Sequence, residues 1–419
     1  MSSETSLTPR QASINASFAY AGCIVAQTGV QLIAPSLPAM RDALGLTDSR
    51  LALVMTIYLL PAALGALPAG LLADRIGRRR VFGWSMVLFG LAGILLQFST
   101  GSFGLFLAIR FAQGLAFAGL LPLTMTILGD AFRGSELIRG QGRRSIAMLT
   151  GDGILPILGG VLAASTWQAP WLGQLLAVPF GFMVLAKMTD PPSLGTTIRR
   201  TGILAGFGRV FRMQGVVALQ YAGFLRMFTK FSILAFLPML LVDVRGTSPA
   251  FAGLVVGASA LIGIIPSHFA GRIAGWGKPT TFIAIGLASE AVALAVWAQA
   301  PWPGTIFMAA LTFGVADGLS GIFVNSLVAA TPETEHRASF VAATGAVRNL
   351  AKFLGPAFVG ILLLTTTLPD AFTIMATAML LSTFLVLPLR VLDSRLEDQR
   401  DNEGDRLAPT ESMRSDDIR

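Results

Sequence analysis

Residues 70–80 read GLLADRIGRRR, which places one acid and four arginines between two long apolar stretches. The apolar sequence resumes directly afterwards, at Val81. A helix of a soluble protein would distribute such charges along one face. Here they are concentrated at one end of an apolar stretch, so the segment is predicted to be a short charged connection between two apolar helices.

The composition of the whole chain agrees with this interpretation. The 419 residues are 53% hydrophobic and 13% charged, with a mean hydropathy of +0.69. A soluble domain carries about 25% charged residues, roughly twice the fraction found here. The charged residues lie between apolar stretches long enough to cross a bilayer, which requires about 20 residues each. We therefore predict an all-α integral membrane protein with many spans.

Twelve apolar spans can be distinguished. A helix satisfies its own backbone hydrogen bonds where no water is available, so each span is predicted to be helical. The 45 glycines, together with abundant alanine, suit close packing of one helix on another. Spans one to twelve are predicted at residues 16–36, 50–72, 80–99, 103–128, 144–165, 170–188, 214–242, 251–270, 280–299, 303–328, 339–364 and 371–390.

Arginine and lysine set the predicted orientation. They are concentrated in one set of connections and at both termini, whereas the opposite connections hold only Arg41, Arg50 and Arg245. Basic loops stay in the cytoplasm, so both termini are predicted to be cytoplasmic, which an even number of spans allows. We expect no cleaved signal peptide. Arginine greatly outnumbers lysine and alanine is abundant, which indicates a GC-rich bacterium and hence its inner membrane.

The chain is predicted to divide into two halves of six spans. A connection rich in proline, glycine and basic residues separates spans six and seven. An internal repeat supports this division, because GDGILPILGG in span five aligns with AKFLGPAFVG in span eleven at an offset of 200 residues. The predicted N-terminal segment, first bundle, linker, second bundle and tail lie at residues 1–15, 16–188, 189–213, 214–390 and 391–419.

Twelve spans in two repeated halves resemble the major facilitator superfamily, and GLLADRIGRRR is similar to that family's signature between spans two and three. The resemblance implies twelve transmembrane helices in two pseudo-symmetric six-helix bundles. It also implies that this connection is a cytoplasmic gate latch, with the Asp74 carboxylate against the positive N-terminal end of span eleven. The alternative is that the arginines only fix the topology. The matching residues are Gly70, Asp74, Arg75, Gly77, Arg78 and Arg79.

IRFAQGLAFAG, at residues 109–119, is similar to the family's span-four signature. In proton-coupled relatives the arginine at the position of Arg110 is linked to proton transfer, so the resemblance implies that role here. An arginine inside a span is energetically costly and usually faces a cavity or a partner. The alternative is that Arg110 makes a buried structural hydrogen bond to backbone.

TGDGILPILGG, at residues 150–160, resembles a Gly-Pro-Gly-Gly pattern that is associated with antiporters. Its glycines allow tight packing and its proline bends the helix. The sequence departs from the pattern at Leu155, where glycine is preferred, and at Asp152, where an acid is unusual. The residues of this helix-bend motif are Gly151, Gly153, Pro156, Gly159 and Gly160.

Polar side chains inside the spans are the candidates for substrate and proton sites. In the family that the chain resembles, spans one, four, seven and ten line the central cavity. An embedded carboxylate could carry the coupling proton, with Asp317 the first choice, Asp152 the second and Glu290 the third. Arg348 and Lys352, like Asp152 and Glu290, lie off those four spans. The substrate-cavity candidates are Gln27, Gln31, Gln113, Arg226, Lys230 and Asn325.

Arg226 and Lys230 are four residues apart, on one face of span seven. Embedded cations outnumber embedded acids in the sequence, and a buried charge normally pairs or is neutralised. Either the two cations bind an anionic group of the substrate, or they pair with Asp317 and Glu290 and hold the structure together. Span one lacks the acid that many cation-exporting relatives carry, which argues against a strictly cationic substrate.

These features predict a transporter resembling the twelve-span drug:proton antiporters. It would export a small amphiphilic organic compound by alternating access, in exchange for protons. The alternatives are proton-coupled uptake of a small organic anion, or a non-transporting membrane receptor or scaffold. The expected partners are the small-molecule substrate, protons and the lipid bilayer, and the expected state is a monomer. No catalytic triad, phosphate loop or metal cluster stands out, so we expect no enzymatic activity, cofactor, metal or nucleic acid.

Overall fold

The computed structural model describes residues 7–190, 215–330 and 337–390. Within these ranges the chain is helical and contains no strand, which confirms the all-α prediction. The predicted linker, apart from Thr189 and Asp190, and the predicted tail lie outside the described residues.

The first half contains spans one to six. Prolines and glycines interrupt several of its helices, and short 3-10 or π turns continue the chain at Thr28–Leu32, Ala34–Ser36, Leu96–Phe98 and Gly173–Leu176. Its α-helices are Pro9–Gln27, Leu37–Leu44, Asp48–Ile76, Arg78–Leu95, Phe103–Ala118, Leu121–Ala131, Gly134–Ala163, Ala169–Leu172 and Ala177–Lys187.

The second half contains spans seven to twelve. A π turn, Leu240–Val244, extends span seven, and a 3-10 segment, Phe384–Leu389, completes span twelve. Its α-helices are Val216–Met239, Pro249–Ile262, Ile264–His268, Ala270–Ile273, Pro279–Gln299, Pro303–Ala330, Arg337–Leu362 and Leu368–Thr383.

Eleven helices in the described ranges are long and apolar enough to cross a membrane. The helix Arg337–Leu362, which corresponds to predicted span eleven, is not among them, although it packs against spans two and seven as a spanning helix would. It carries Arg348, Asn349 and Lys352, and these polar residues lower its hydropathy. Span eleven is therefore helical as predicted but more polar than the other spans.

The charged connection between spans two and three consists of a single residue. The span-two helix ends at Ile76 and the span-three helix begins at Arg78, with Gly77 between them at φ 103°. A side chain is strained at this φ, and a Cβ on Gly77 would also meet the carboxylate of Asp190. The stretch predicted as a connection is therefore two helix ends joined at one glycine.

The helix-bend motif of span five packs against span eight and so joins the two bundles. A Cβ on Gly160 would meet the backbone of Pro249, Ala250 and Gly253, and a Cβ on Gly257 would meet the Gly153 carbonyl. Glycine at these positions lets the two backbones approach closely. The motif thus forms a contact between the halves.

Contacts between the halves continue toward the connections that are poor in arginine. Arg41, which follows span one, pairs with Asp243 at the end of span seven, with 2.7 Å between Nη1 and Oδ2. Gly360 of span eleven lies against Ala52 of span two on the same side. These contacts close the molecule at the Arg41 side.

Three glycines toward the arginine-rich side have free space beside them. Gly70, Gly142 and Gly345 lie toward that side on spans two, five and eleven, and a Cβ on any of them would meet no atom within 4 Å. The same three spans make tight glycine contacts nearer the Arg41 side.

Candidate functional site

Lys230 links the two bundles by charge near the middle of the molecule. Its Nζ lies 3.4 Å from Oδ2 of Asp152 in the first bundle and 3.3 Å from Oδ2 of Asp317 in the second. The three side chains are 11–19% exposed, so the cluster is largely but not fully removed from solvent. Ion pairs in such surroundings are stronger than surface pairs, and leaving one charge unpaired is costly.

Asp152 is held by span one as well as by Lys230. The side-chain amides of Gln27 and Gln31 both donate to Oδ1 of Asp152, the second over 2.5 Å. Asp152 is thus a member of the central cluster, although its place on span five suggested a position outside the cavity. Span eight packs closely against this part of span five, which contains Pro156.

Asp317 has a second cationic partner, Arg226. The Nε of Arg226 lies 2.6 Å from Oδ1 of Asp317 and also donates to the Asp317 backbone carbonyl over 3.1 Å. Glu290 is fully buried and accepts a hydrogen bond from the Ser320 hydroxyl over 3.0 Å. The expected pairing of the span-seven cations with Asp317 is present, whereas Glu290 makes no ion pair among the described residues.

The charged cluster borders a cleft. Gln31, Asp152, Lys230 and Asp317 line one part of it, and the remaining lining is mostly apolar, from Ile233, Leu234, Val256, Ser259, Ala260 and Phe313. These residues come from spans one, five, seven, eight and ten. Of the four spans expected to line the cavity, spans one, seven and ten line this cleft, and spans five and eight take part as well.

Span four instead builds a polar network inside the first bundle. Arg110 and Gln113 are fully buried. Arg110 donates to the Val54 carbonyl over 3.1 Å and to the Gln113 side chain over 2.6 Å. Its guanidinium also lies over the rings of Tyr58 and Trp171. Among the described residues Arg110 has no carboxylate partner. Its geometry therefore matches the alternative interpretation, in which it makes a buried structural hydrogen bond to backbone.

Gln113 is placed by the same network. Its side-chain amide donates to the Phe89 carbonyl over 3.0 Å and to the Gln174 side chain over 2.7 Å. All of these partners belong to the first bundle. The structure therefore corrects the expectation that Gln113 faces the substrate cavity.

Asn325 lies closer to the arginine-rich side of the molecule than the cluster of Asp152, Lys230 and Asp317 does. It is exposed, and its side-chain oxygen accepts a hydrogen bond of 2.8 Å from Nη2 of Arg348. Lys352, one turn further along span eleven, lies over the Phe231 ring with Nζ 5.3 Å from the ring centre. This contact between Asn325 and span eleven depends on tertiary packing, so no sequence pattern predicts it.

The latch residues have partners within the first bundle. Arg78 forms ion pairs with Asp74, over 3.6 Å, and with Asp130 at the end of span four. The Asp190 carboxylate accepts a hydrogen bond of 2.8 Å from the Arg79 backbone and so caps the span-three helix. Sequence reasoning missed both acids, which follow spans four and six on the arginine-rich side. The expected contact of Asp74 falls at the start of span eleven, next to residues 331–336, which lie outside the described residues.

Known proteins agree with this architecture. The sequence profile of the Major Facilitator Superfamily matches residues 19–356. The chain belongs to the major facilitator superfamily. It is accordingly an integral, multi-pass membrane protein and a transporter of that superfamily, and such transporters bind small-molecule substrates within the membrane.

Two bacterial relatives have names that describe export. The chain is 23% identical over 348 residues to the multidrug efflux protein YfmO of Bacillus subtilis, covering 81% of this chain and 84% of that protein. It is 31% identical over 154 residues to the bacillibactin exporter of the same organism. That second match covers 35% of this chain and spans only 38% of the exporter's length.

A solved structure supports the fold. The chain superposes on the inward open conformation of the xylose transporter XylE from E. coli with a TM-score of 0.71 and 14% identity, covering 90% of this chain and 95% of that one. At this identity the similarity shows a shared fold and nothing about the substrate.

Proposed function

We propose that this major facilitator protein exports a small amphiphilic organic compound in exchange for protons. The observation that carries the proposal is the position of Lys230, which is shared by one carboxylate from each bundle beside a mostly apolar cleft. A site for an amphiphilic compound needs apolar walls and a few polar groups. Proton coupling needs an embedded group whose charge state affects the contact between the halves.

The coupling follows from the competition for Lys230. A proton on Asp317 or Asp152 removes one of the two negative charges that hold Lys230, which weakens the link between the bundles. Asp317 remains the first choice for the proton because it lies at mid-depth on span ten and lines the cleft, and Glu290 remains the third. Substrate entering the cleft would disturb the same balance, so one compartment would serve both substrate and proton.

The names of the relatives support export. YfmO is named a multidrug efflux protein, and the other relative an exporter. We further propose that both termini lie in the cytoplasm of a bacterium, that the domain boundaries are those predicted above, and that the protein works as a monomer. In this orientation the arginine-rich side would face the cytoplasm, where an exporter collects its cargo. The cargo would cross the membrane chemically unchanged.

Two alternatives use other features of the molecule. Proton-coupled uptake of a small organic anion would use the cationic side chains of spans seven and eleven. A non-transporting receptor or scaffold would use the fold without alternating access, but it gives no role to charges that join the two bundles at mid-depth.

The test is transport by purified protein in sealed vesicles, with and without an imposed proton gradient. A panel of amphiphilic compounds, including ethidium, chloramphenicol and benzoate, would be followed together with internal pH. Exchange predicts that compound and protons move in opposite directions. Movement in the same direction would support uptake, and a gradient that moves no compound in the panel would contradict a transport function. Asp317→Asn protein in matched vesicles serves as the uncoupled control.

A further inference from the structure

Arg348 and Lys352 are two cations on one face of span eleven, and neither has an ion-pair partner among the described residues. They are four residues apart in a continuous helix, so their side chains are neighbours. Nη2 of Arg348 reaches only the neutral Asn325 amide, and its Nε is buried without a hydrogen-bond partner. Lys352 lies against the Phe231 ring.

The acids nearest to these cations are already engaged. Asp152 lies within electrostatic range of Lys352, but it is held by Lys230 and by the two glutamines of span one. Arg226 and Arg348 lie within range of each other, so like charges face one another across spans seven and eleven. A cation in a poorly solvated site without a counter-charge is energetically unfavourable.

Space is available next to this pair. Gly345, three residues before Arg348 and on the same face, is exposed, and a Cβ on it would meet no atom within 4 Å. At the other end, Lys352 is within electrostatic range of Lys230 and Asp152, which line the apolar cleft. The open space at Gly345 and the two cations therefore follow one another along span eleven, and the apolar cleft lies beside residues within electrostatic range of Lys352.

We propose that Arg348 and Lys352 form a binding site for the acidic group of an organic anion, whose apolar part occupies the cleft beside Leu234 and Phe313. The site differs from the expected pair, because Arg226 and Lys230 are occupied by Asp317 and Asp152. A guanidinium and an ammonium side by side suit a carboxylate, which can accept hydrogen bonds from both. The inference deepens the proposed transport function by naming the class of substrate, and it rests on that function.

The test compares matched acids and amides. Full-length protein in nanodiscs would be titrated by calorimetry at neutral pH with benzoate and benzamide, salicylate and salicylamide, and 2-naphthoate and 2-naphthamide. We expect at least one acid to bind about tenfold more tightly than its amide, since a charge-assisted hydrogen bond has that magnitude. Arg348→Gln and Lys352→Gln should each remove the preference. The control is Lys187→Gln, which removes an exposed cation at the end of span six. This variant should keep the preference for the acid over its amide.

A further variant tests the site without removing a cation. Gly345→Asp introduces a carboxylate into the open space one turn from Arg348, so it should abolish the preference for acids while leaving amide binding unchanged. This variant decides the question if either glutamine variant fails to fold. The proposal is overturned if no acid binds more tightly than its amide to the unmodified protein, or if the preference survives in Gly345→Asp.

The vesicle assay separates this site from the transport function. If the variants lose the acid preference but no protein transports any compound, the binding site is supported and the transport function is rejected. If proton-driven transport shows the same charge preference in the unmodified protein and in Gly345→Asp, the binding site is rejected and the transport function is supported.

Discussion

Lys230 of span seven and Asp152 of span five face each other across the boundary between the bundles, with 3.4 Å between Nζ and Oδ2. The same ammonium group lies 3.3 Å from Asp317 within its own bundle. One cation is thus divided between an intra-bundle and an inter-bundle partner. Separation of the halves at this depth would leave Lys230 with Asp317 and leave Asp152 with its two glutamines.

Asp317→Asn should abolish proton-driven transport and also weaken the fold. It leaves Arg226 without a carboxylate in a site where both side chains are 13% exposed, and such a loss costs about 3 kcal/mol. Thermal unfolding in detergent and vesicle transport measure the two effects. Combining Asp317→Asn with Arg226→Gln should recover most of the stability but not the proton coupling. Normal proton movement in both Asp317→Asn and Asp152→Asn would leave Glu290 as the remaining candidate.

Asp74→Asn should slow transport about tenfold or more while leaving substrate affinity within a fewfold. Asp74 pairs with Arg78 at the end of span two, far from the central cleft, so it affects exchange between conformations rather than substrate contact. Transport rates and calorimetric binding are compared on the same preparation. Glu136→Gln, which removes an exposed acid at the start of span five, is the control. A collapse of binding with normal turnover of bound substrate would contradict the latch role.

Gly77→Ala should destabilise the protein by about 1–3 kcal/mol. The backbone conformation at φ 103° is one that side chains rarely adopt, and the added methyl group would meet Asp190. Gly70→Ala, in the same motif, adds a methyl group to open space within a helix and should leave stability equal or slightly higher. Urea or thermal unfolding of the two variants provides the comparison, and equal effects would show that the single-residue turn is unimportant.

Arg110→Lys should lower both thermal stability and transport. Lysine lacks the planar guanidinium that donates to Val54 and Gln113 and lies over Tyr58, so the change is not conservative. Arg50→Lys, at an exposed position, serves as the control. If Arg110→Lys uncouples protons while unfolding at the temperature of the unmodified protein, Arg110 has the proton-transfer role that the resemblance implied.

Gly253→Val should favour a conformation that is open at the Arg41 side. Its side chain would collide with the Pro156 carbonyl and Gly160, where the two backbones touch. Spin labels at Gly101→Cys and Trp302→Cys, in a Cys23→Ala background, would report the distance between bundles on that side, which should increase. Gly129→Val adds the same side chain where no atom lies within 4 Å and should leave the distance unchanged.

The fold could be predicted from the sequence because the bilayer constrains it strongly. Apolar stretches of sufficient length must be helical, and charges such as Arg78–Arg80 must lie outside the apolar core. The prediction was less accurate where helices continue beyond that core. Span five begins at Gly134, ten residues before its predicted start, because solvated polar residues can extend a helix as well as end it.

The site is less predictable from the sequence, because it depends on which helix faces pack against each other. Lys230 and Asp317 belong to expected cavity spans, and they do meet. Asp152 joins them only through the approach of spans five and eight. Hydrogen bonds to Phe89 and Gln174 hold the Gln113 side chain inside the first bundle, away from the charged cluster. The sequence supplies a residue's depth in a span with fair accuracy. The direction in which its side chain points depends on the neighbouring helices.

The glycine contact between spans five and eight has a mechanical consequence. At Gly160 and Gly253 the bundles touch through main-chain atoms, whereas Gly153 and Gly257 also receive the side chains of Leu261 and Ile157. Where only main-chain atoms are in contact, at Gly160 and Gly253, the two helices can rotate against each other without rotamer changes. The barrier to rocking would then arise mainly from the charged pairs on either side of the pivot. The speed of the transport cycle should therefore respond to pH more strongly than to the volume of apolar residues.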